Sequence, residues 1–215
     1  TYGLMLLGSL ALAGIGIPGT LVGFAGFQSK DIILESAFAA GSGVGTAGIQ
    51  LAKALGAFVY TTAGTNLRVA RGISLGADAG INYNTEDLTL QLLHLTGGSG
   101  VDVVLDNVGG DVFDATLPAL AQGGRIVNVG SPAGTRGPVD NDTTNSKNQR
   151  IHSSQVFNNT QEDVEGSGWR QISEWLASDT IRTIIDRVLP WTQAEHAHKL
   201  LRSRSVFGKI VLTVE

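Results

Sequence analysis

Residues 40–57 read AGSGVGTAGIQLAKALGA, a glycine-rich turn followed by an amphipathic run, and this stretch decides the fold. An apolar run at 32–38 precedes it, and a second apolar run at 58–62 follows it. Strand, glycine turn, helix and strand in this order make a βαβ unit of the dinucleotide-binding type. The glycines let the backbone bend tightly and approach a pyrophosphate, and the helix N-terminus offers free N–H groups and a positive dipole end. The stretch therefore predicts a nucleotide cofactor site.

The glycine turn can be aligned with the dinucleotide fingerprint in two registers. Taken literally, residues 43–48 are G-x-G-x-x-G. Because the first strand is expected to end near residue 38, a second register uses Ala40, Ser42 and Gly45, and Ser42 then takes the place of the glycine that approaches the phosphates. A strand-to-helix turn without any ligand has the same composition, and it stays open as the plain alternative.

The end of the second predicted strand carries no acidic residue. An NAD site needs an Asp or Glu there to bind the ribose hydroxyls, but the sequence at 61–65 is TTAGT. Arg68 follows within one helical turn, and Thr65 and Asn66 can donate hydrogen bonds. A missing carboxylate together with a guanidinium favours a 2′-phosphate, and hence NADP. A solvated helix face remains the alternative interpretation of Arg68.

Apolar runs alternate with amphipathic segments along most of the chain. The pattern predicts strands at 32–38, 58–62, 79–83, 101–106 and 125–129, with helices at 44–55, 66–75, 86–95 and 112–121 between them. A long loop at 131–150, a sixth strand at 151–157, helices at 169–177 and 193–201, and a last strand at 209–214 complete it. Strands separated by helices imply parallel pairing through right-handed crossovers. The expected class is therefore an α/β, doubly wound sheet.

The composition of the 215-residue chain suits a globular enzyme and excludes several other classes. Hydrophobic residues make up 42% of the chain, which is enough for a sizeable core. The net charge is −4 and no basic block is present, so nucleic-acid binding has no support. The absence of cysteine excludes disulfides and thiolate zinc sites and is compatible with a reducing compartment, and we expect a cytoplasmic protein.

No sequence motif indicates a metal site or a hydrolase. The G-x-S-x-G elbow and the H-E-x-x-H motif are both missing. No histidine has convincing metal spacing with a carboxylate, and we interpret all of them as structural. They are His94, His152, His196 and His198.

Residues 3–27 carry no charge and are long enough to span a bilayer. They lack a basic n-region, so they make a poor signal peptide, and Pro18 with several glycines would break any helix. A membrane contact and a segment buried against a domain outside this chain therefore both stay open.

From residue 39 to residue 214 the chain resembles the cofactor domain of the medium-chain dehydrogenase/reductases, in the zinc-free, zeta-crystallin-like quinone oxidoreductase branch. The matching runs are GVGTAGIQLAKALGA, LGADAGINYNTEDL, GVDVVLDNVGGDVFDATLPALAQGGRIVNVG and AHKLLRSRSVFGKIVLTV, in the expected order. The resemblance implies a Rossmann-type doubly wound parallel sheet. It also implies NADPH-dependent reduction of quinones, enones or related electron-poor carbonyl compounds, without a metal. We further expect a homodimer, and no catalytic acid can be named in this chain.

The family's site roles carry over to this sequence residue by residue. The pyrophosphate would lie at Ser42, Gly43, Val44 and Gly45. The adenosine 2′-phosphate would lie at Gly64, Thr65, Arg68 and Tyr83, with Arg68 where the family usually has lysine. The ribose and nicotinamide would lie near Asn107, Val108, Gly130 and Ser131. The cofactor or substrate cleft would be bordered by Phe157, Phe207 and Lys209.

One departure from the family is that its N-terminal GroES-like catalytic domain is lacking ahead of the glycine turn. We therefore expect three parts: an apolar segment at 1–30, the Rossmann domain at 31–187, and a helix and strand at 188–215 that would return to the missing domain. The strand at 209–214 is then expected to lack sheet partners and to leave an apolar edge exposed.

A second departure is that residues 4–38 resemble the antiporter-like membrane subunit of respiratory complex I, most specifically in GFAGFQSKDIILESAFA. An origin within the dehydrogenase family also stays open, since its members often carry a GxPGxTA-like segment before the first strand. Two further functions remain beside the oxidoreductase: a non-catalytic nucleotide-binding or sensing module, and a membrane-attached fusion fragment.

Overall fold

A single six-stranded sheet dominates the structure, a computed structural model that describes residues 31–35, 42–130, 133, 134, 137, 139, 141–153, 167–203 and 205–214. Its strands are β1 (Asp31–Glu35), β2 (Phe58–Ala63), β3 (Ala79–Asn82), β4 (Val101–Asp106), β5 (Leu120–Asn128) and β6 (Arg150–Ser153). All neighbours pair in parallel, in the order β3-β2-β1-β4-β5-β6. This order confirms the predicted doubly wound fold.

Helices connect the strands, as parallel pairing requires. They are α1 (Ser42–Ala54), α2 (Asn66–Ser74), α3 (Leu88–Leu95), α4 (Gly110–Thr116), α5 (Asn141–Ser146), α6 (Ser167–Ala177) and α7 (Ala194–Arg202). The short α5 falls inside the stretch that was predicted to be a loop. The helices otherwise lie where the apolar periodicity predicts them, with bounds that differ by a few residues.

Two hydrophobic clusters lie on the two faces of the sheet. On β4, Val103 and Leu105 belong to the cluster that includes Ile49 of α1, whereas Val104 belongs to the cluster that includes Leu92 of α3 and Phe113 of α4. Successive side chains of a strand point to opposite faces. A strand covered by helices on both sides therefore has the nearly continuous apolar run seen at 101–106.

The predicted helix at 112–121 is wrong in its second half. α4 ends at Thr116, residues 117–119 form one 3₁₀ turn, and β5 already begins at Leu120. Pro118 lies in that turn and has no N–H to continue an α-helix. The glycines at 123–124 therefore do not end a helix. They lie inside β5, where its register against β4 shifts.

A strand that the sequence did not predict, β7 (Ile185–Pro190), pairs in parallel with β8 (Lys209–Thr213). β8 thus has one sheet partner, which corrects the expectation that it has none. The exposed fractions of Val188, Trp191 and Leu212 are 55%, 57% and 40%, so apolar surface is indeed exposed here. The expected domain boundary between residues 187 and 188 falls inside β7.

Candidate cofactor site

β1 and the helix that follows it, α1, lie where the strand order of the sheet reverses. β1 pairs with β2 on one side and with β4 on the other, so its carboxyl end opens on the crevice where open α/β sheets bind ligands. The literal G-x-G-x-x-G motif, residues 43–48, lies entirely within α1. Only the second register has a residue, Ser42, at the first position of the helix. The predicted residues Gly43, Val44 and Gly45 complete the first turn, and the last two are buried.

Thr65 caps α2 at the carboxyl end of β2. Its backbone is extended, with φ −147° and ψ 146°, and its Oγ1 accepts a hydrogen bond from the Arg68 N–H at 3.4 Å. Thr65 is exposed and Arg68 is half-buried. A hydroxyl and a helix N-terminus therefore lie at this strand end, Arg68 belongs to the first turn of the same helix, and residues 58–68 contain no carboxylate.

Residues that follow β3 pack against Gly64. Asn84 Nδ2 donates to the Gly64 carbonyl at 2.8 Å, and the Tyr83 N–H donates to the Ala63 carbonyl at 3.1 Å. A Cβ on Gly64 would lie 3.0 Å from Asn84 Nδ2 and 3.2 Å from Tyr83 Oη, so a side chain here would force its neighbours to move. The structure thus brings together Gly64, Thr65 and Tyr83, which sequence reasoning assigned to one subsite.

A hydrogen-bonded network around the side chain of Asn82, beside this subsite, was not predicted from the sequence. Asn82 is buried, and its Nδ2 donates to Asn66 Oδ1 at 2.6 Å, which ties the end of β3 to the first turn of α2. Its Oδ1 accepts from the Asn84 N–H at 3.1 Å, and its own N–H donates to Glu86 Oε1 at 2.9 Å. An asparagine as the last residue of a buried strand is the signal that could have identified the network.

Asp106, the last residue of β4, has no exposed surface. Its Oδ1 accepts hydrogen bonds from the N–H groups of Val108 and Gly109, both at 2.9 Å. Its Oδ2 accepts a hydrogen bond from the side-chain amide of Asn128 at the end of β5. The predicted site residues Asn107 and Val108 are buried on the turn that this carboxylate holds. Sequence reasoning treated Asp106 only as a strand residue.

The loop after β5 approaches the loop after β4. Asn128 Nδ2 also donates to the carbonyl of Gly130, a predicted site residue, at 3.1 Å. The Ala133 N–H donates to the Val108 carbonyl at 2.9 Å. The two loops assigned to the ribose and nicotinamide are therefore hydrogen-bonded to each other. Ser131 and Phe157 lie outside the described residues.

Phe207 and Lys209 lie in a different setting from the residues at these strand ends. The Arg71 guanidinium stacks over the Phe207 ring at 5.3 Å, and Arg71 is in the last turn of α2, at the opposite end from Thr65. Lys209 begins β8, and burial lowers the pKa of its ammonium to about 8. The structure therefore does not bring Phe207 to the capped end of α2.

The amino ends of the strands carry a different kind of carboxylate. Asp78 Oδ2 accepts from the Val59 N–H at 2.7 Å and pairs with the Lys53 ammonium at 2.8 Å. Burial raises the pKa of Asp78, but the hydrogen bonds from Lys53 and Val59 and the charge of Lys53 together hold it below its usual value. An open cavity of about 660 Å³ lies nearby, lined in part by Gln50, Lys53 and Arg182.

The described ranges show neither a cluster of metal-ligating residues nor a membrane-spanning helix. In that part of the chain, no group of three or more His, Asp or Glu residues could hold a metal ion. Over the same ranges no helix has the length and apolarity to cross a membrane. Residues 3–27, where a membrane segment was considered, lie outside the described residues.

Comparison with known proteins identifies the family. Residues 75–212 match the family model described as zinc-binding dehydrogenase. Quinone oxidoreductase 1 of Escherichia coli K12 is 33% identical over 179 residues, which cover 81% of this chain and 54% of that protein. The 2-haloacrylate reductase of a Burkholderia species is 28% identical over 179 residues, 81% of this chain and 53% of its own length. The chain thus spans about half the length of these relatives.

Solved structures agree with the sequence matches. The crystal structure of Escherichia coli quinone oxidoreductase complexed with NADPH superposes with a TM-score of 0.78 at 28% identity, covering 98% of this chain and 63% of that one. None of the relatives named here is a complex I subunit, so the resemblance of residues 4–38 to such a subunit has no support. The sheet order, the βαβ turn and these matches together show that the chain belongs to the zinc-binding dehydrogenase family, within the medium-chain dehydrogenase/reductases.

Proposed function

We propose that the chain is the cofactor domain of an NADPH-dependent oxidoreductase that transfers a hydride to a quinone or to another electron-poor enone or carbonyl compound. The observation that carries the proposal is the chemistry of the carboxyl end of β2. Thr65 offers a hydroxyl there, at a helix N-terminus, Arg68 follows in the first turn of that helix, and the strand ends without a carboxylate.

The donors at this strand end suit a 2′-phosphate better than a 2′-hydroxyl. A carboxylate that accepts from a ribose hydroxyl would repel a phosphate, whereas a guanidinium and a capped helix N-terminus attract one. The quinone oxidoreductase solved with NADPH supports the same cofactor for this chain. The adenosine end would be held by Gly64, Thr65, Arg68 and Tyr83, the pyrophosphate by Ser42, Gly43, Val44 and Gly45, and the ribose and nicotinamide by Asn107, Val108, Gly130 and Ser131.

NADPH supplies a hydride when bound, and the protein supplies binding, orientation and a dry site. In this chain the loops after β4 and β5 would orient the nicotinamide end, because they are hydrogen-bonded to each other beside the strand-order switch. No residue is assigned to proton transfer.

The acceptor class is supported by the relatives. They include a quinone oxidoreductase and a 2-haloacrylate reductase, whose names share an electron-poor unsaturated acceptor. We expect the residues assigned to the site to bind the cofactor, and a GroES-like domain, as in the family, to supply one wall of the substrate cleft. A homodimer and a cytoplasmic location belong to the same proposal, and the latter is supported only by the absence of cysteine.

Fluorescence titration with NADPH, and with NADH in parallel, tests the cofactor. We expect NADPH to bind about tenfold more tightly or better, since two charge-assisted hydrogen bonds to a phosphate are enough for that difference. Arg68→Ala should remove most of the preference, whereas Arg71→Ala, at the other end of the same helix, should retain it. A preference of the unmutated chain for NADH would overturn the NADPH assignment.

The residues assigned to the site all serve cofactor binding, which leaves a second candidate, a nucleotide-sensing module without catalysis. Steady-state oxidation of NADPH with a panel of quinones and enones separates the two candidates. Oxidation above the acceptor-free rate supports the oxidoreductase. Tight NADPH binding with no acceptor-dependent oxidation supports the sensing module.

A further inference from the structure

We propose that Asp106 is a positioning residue whose buried carboxylate locks the loops after β4 and β5 into one unit that receives the nicotinamide end of the cofactor. This inference rests on the proposed NADPH function and deepens it, because it names the residue that sets the geometry of one half of the site. Asp106 itself has no exposed surface, so it acts through the backbone it holds.

The hydrogen bonds of Asp106 indicate why a carboxylate occupies this position. A buried carboxylate is unfavourable unless several donors satisfy it. Asp106 accepts from two N–H groups of its own turn, at Val108 and Gly109, and from the amide of Asn128 on the neighbouring strand. A neutral side chain of similar size could not accept from all of these donors, so the carboxylate joins two segments that are far apart in sequence.

Backbone contacts show how closely the two loops are fitted. The Val129 N–H donates to the Asp106 carbonyl at 2.8 Å, and the Gly110 N–H donates to the Gly134 carbonyl at 3.1 Å. Gly109 and Gly110 have φ of 72° and 55°, in the region that favours glycine. A Cβ on Gly110 would lie 3.0 Å from a backbone oxygen of the opposite loop. The turn is therefore unusual backbone, and the hydrogen bonds to Asp106 hold it in place.

The position of this unit connects it with the cofactor rather than with stability alone. It lies at the carboxyl end of β4, the strand next to β1 at the switch in strand order, where open α/β sheets bind their ligands. The predicted residues Val108 and Gly130 belong to the two loops and are each one hydrogen bond from the Asp106–Asn128 pair. The capped end of α2, assigned to the adenosine phosphate, belongs to a different pair of strands.

This separation gives a test with two ligands. NADPH would contact both halves of the site, whereas 2′,5′-ADP carries only the adenosine half with its 2′-phosphate. In Asp106→Asn, an N–H₂ group would face the Asn128 amide, and two buried donors would oppose each other. We expect the Kd for NADPH to rise about tenfold or more, since one misplaced buried hydrogen bond is worth about that factor. The Kd for 2′,5′-ADP should stay within about twofold.

Asp78→Asn is the matched control, because Asp78 also accepts a backbone N–H but lies at the amino ends of the strands. It should leave both Kd values unchanged. Asn128→Ala is the second variant; it removes the hydrogen bonds to Asp106 Oδ2 and to the Gly130 carbonyl and leaves the two backbone donors of Asp106 in place. It should show the same selective loss of NADPH affinity to a smaller degree, and it carries the test if Asp106→Asn does not fold.

Three outcomes decide the matter. Selective loss of NADPH affinity in Asp106→Asn or Asn128→Ala supports the positioning role. Equal weakening of NADPH and 2′,5′-ADP, or unchanged NADPH affinity in these variants, overturns it, because a residue that acts only on stability would not distinguish the two ligands. Failure of the unmutated chain to bind NADPH would instead contradict the proposed function, so the two failures are distinguishable.

Discussion

The two ends of the parallel strands each have an aspartate that accepts a backbone N–H, and they use it differently. At the amino ends, the Asp78 side chain is 32% exposed and pairs with Lys53 of α1. At the carboxyl ends, Asp106 is fully buried and holds two loops through amide and backbone donors. The amino ends are thus joined by a solvated ion pair, which contributes little to stability. The carboxyl ends contain a buried carboxylate, which requires several hydrogen-bond donors around it.

The strongest way to break this comparison is to remove both carboxylates in turn. Asp106→Ala should lower the free energy of unfolding by about 3 to 5 kcal/mol, because buried donors at three positions lose their acceptor. Asp78→Ala should lower it less, by about 1 to 2 kcal/mol, since Lys53 can be solvated and only the buried Val59 N–H loses its acceptor. Urea denaturation followed by circular dichroism measures both. Equal losses would mean that burial does not distinguish the two edges.

A glycine at the amino ends gives the next largest effect. Gly100 has φ +80°, and a Cβ there would lie 2.7 Å from the Ala119 carbonyl oxygen and 2.8 Å from the Ala121 nitrogen. Gly100→Ala should therefore lower the free energy of unfolding by about 2 to 4 kcal/mol, from backbone strain and overpacking together.

Gly56→Ala is the matched control for this change. Gly56 has φ +82° but no atom of the described residues lies within 4 Å of its Cβ position, so we expect only the strain of about 1 to 2 kcal/mol. Thermal unfolding of the two variants measures the difference. The ratio of NADPH to 2′,5′-ADP affinity should be unchanged in both, and a shift in Gly100→Ala would show that the amino ends also shape the site.

The partly buried ammonium of Lys209 should make the stability of the folded chain depend on pH. Its pKa in the folded chain is about 8, below the ordinary value of 10.5, because burial disfavours the ammonium. Between pH 8 and pH 10.5, Lys209 is more protonated in the unfolded chain than in the folded chain. The free energy of unfolding should therefore rise with pH over this range. The destabilisation present below pH 8 should be about 1 to 2 kcal/mol after allowance for partial exposure.

Lys209→Met supplies the control for this titration. Subtracting its free energy of unfolding from that of the unmutated chain at pH 7, 9 and 10.5 isolates the contribution of Lys209. A difference that does not change across this range would contradict the lowered pKa.

The smallest expected effect belongs to the charge of Asp78. Its pKa in the folded chain is below the ordinary value of 3.8, so its stabilising contribution is present above that pH and is lost as pH falls through the lower, folded value. Asp78→Asn should therefore cost less than about 1 kcal/mol at pH 7. The unmutated chain and the variant should converge in acid, as urea midpoints at pH 7 and pH 3 would reveal. Their divergence in acid would exclude the ion pair as the cause.

Local sequence predicted the sheet well because β2 and β4 are buried along most of their length. Continuous apolar runs such as 101–106 announce such strands, and helical periodicity between them announces the crossovers. The boundary between α4 and β5 was predicted wrongly because the apolar pattern continues through Pro118. β7 was not predicted because it is mostly exposed and pairs, among the described residues, with β8 alone. No local apolar pattern therefore marks it.

The candidate site divides in the same way. Thr65 and Arg68 could be found because a missing acid at a strand end is visible in one short stretch of sequence. Asp106 and Asn82 show in the sequence only as polar residues at the ends of strands, because their hydrogen-bond partners are distant in sequence. Asp106 and Asn128 are 22 residues apart, and Asn82 and Asn66 are 16 apart. Only the pairing of the strands brings these groups within hydrogen-bonding distance.

The strand order has a consequence for how the chain emerges from a ribosome. β2 and β3 are added outward on one side of β1, and β4, β5 and β6 are then added outward on the other side. Each new strand therefore docks on an existing outer edge, and none has to be inserted between two strands already paired. The sheet can grow in the order of translation, with the β1-β2-β3 half formed before β4 is made, and domains generally begin to fold from the N-terminus during synthesis. The edge of β1 that waits for β4 is then the unpaired surface that a chaperone would meet first.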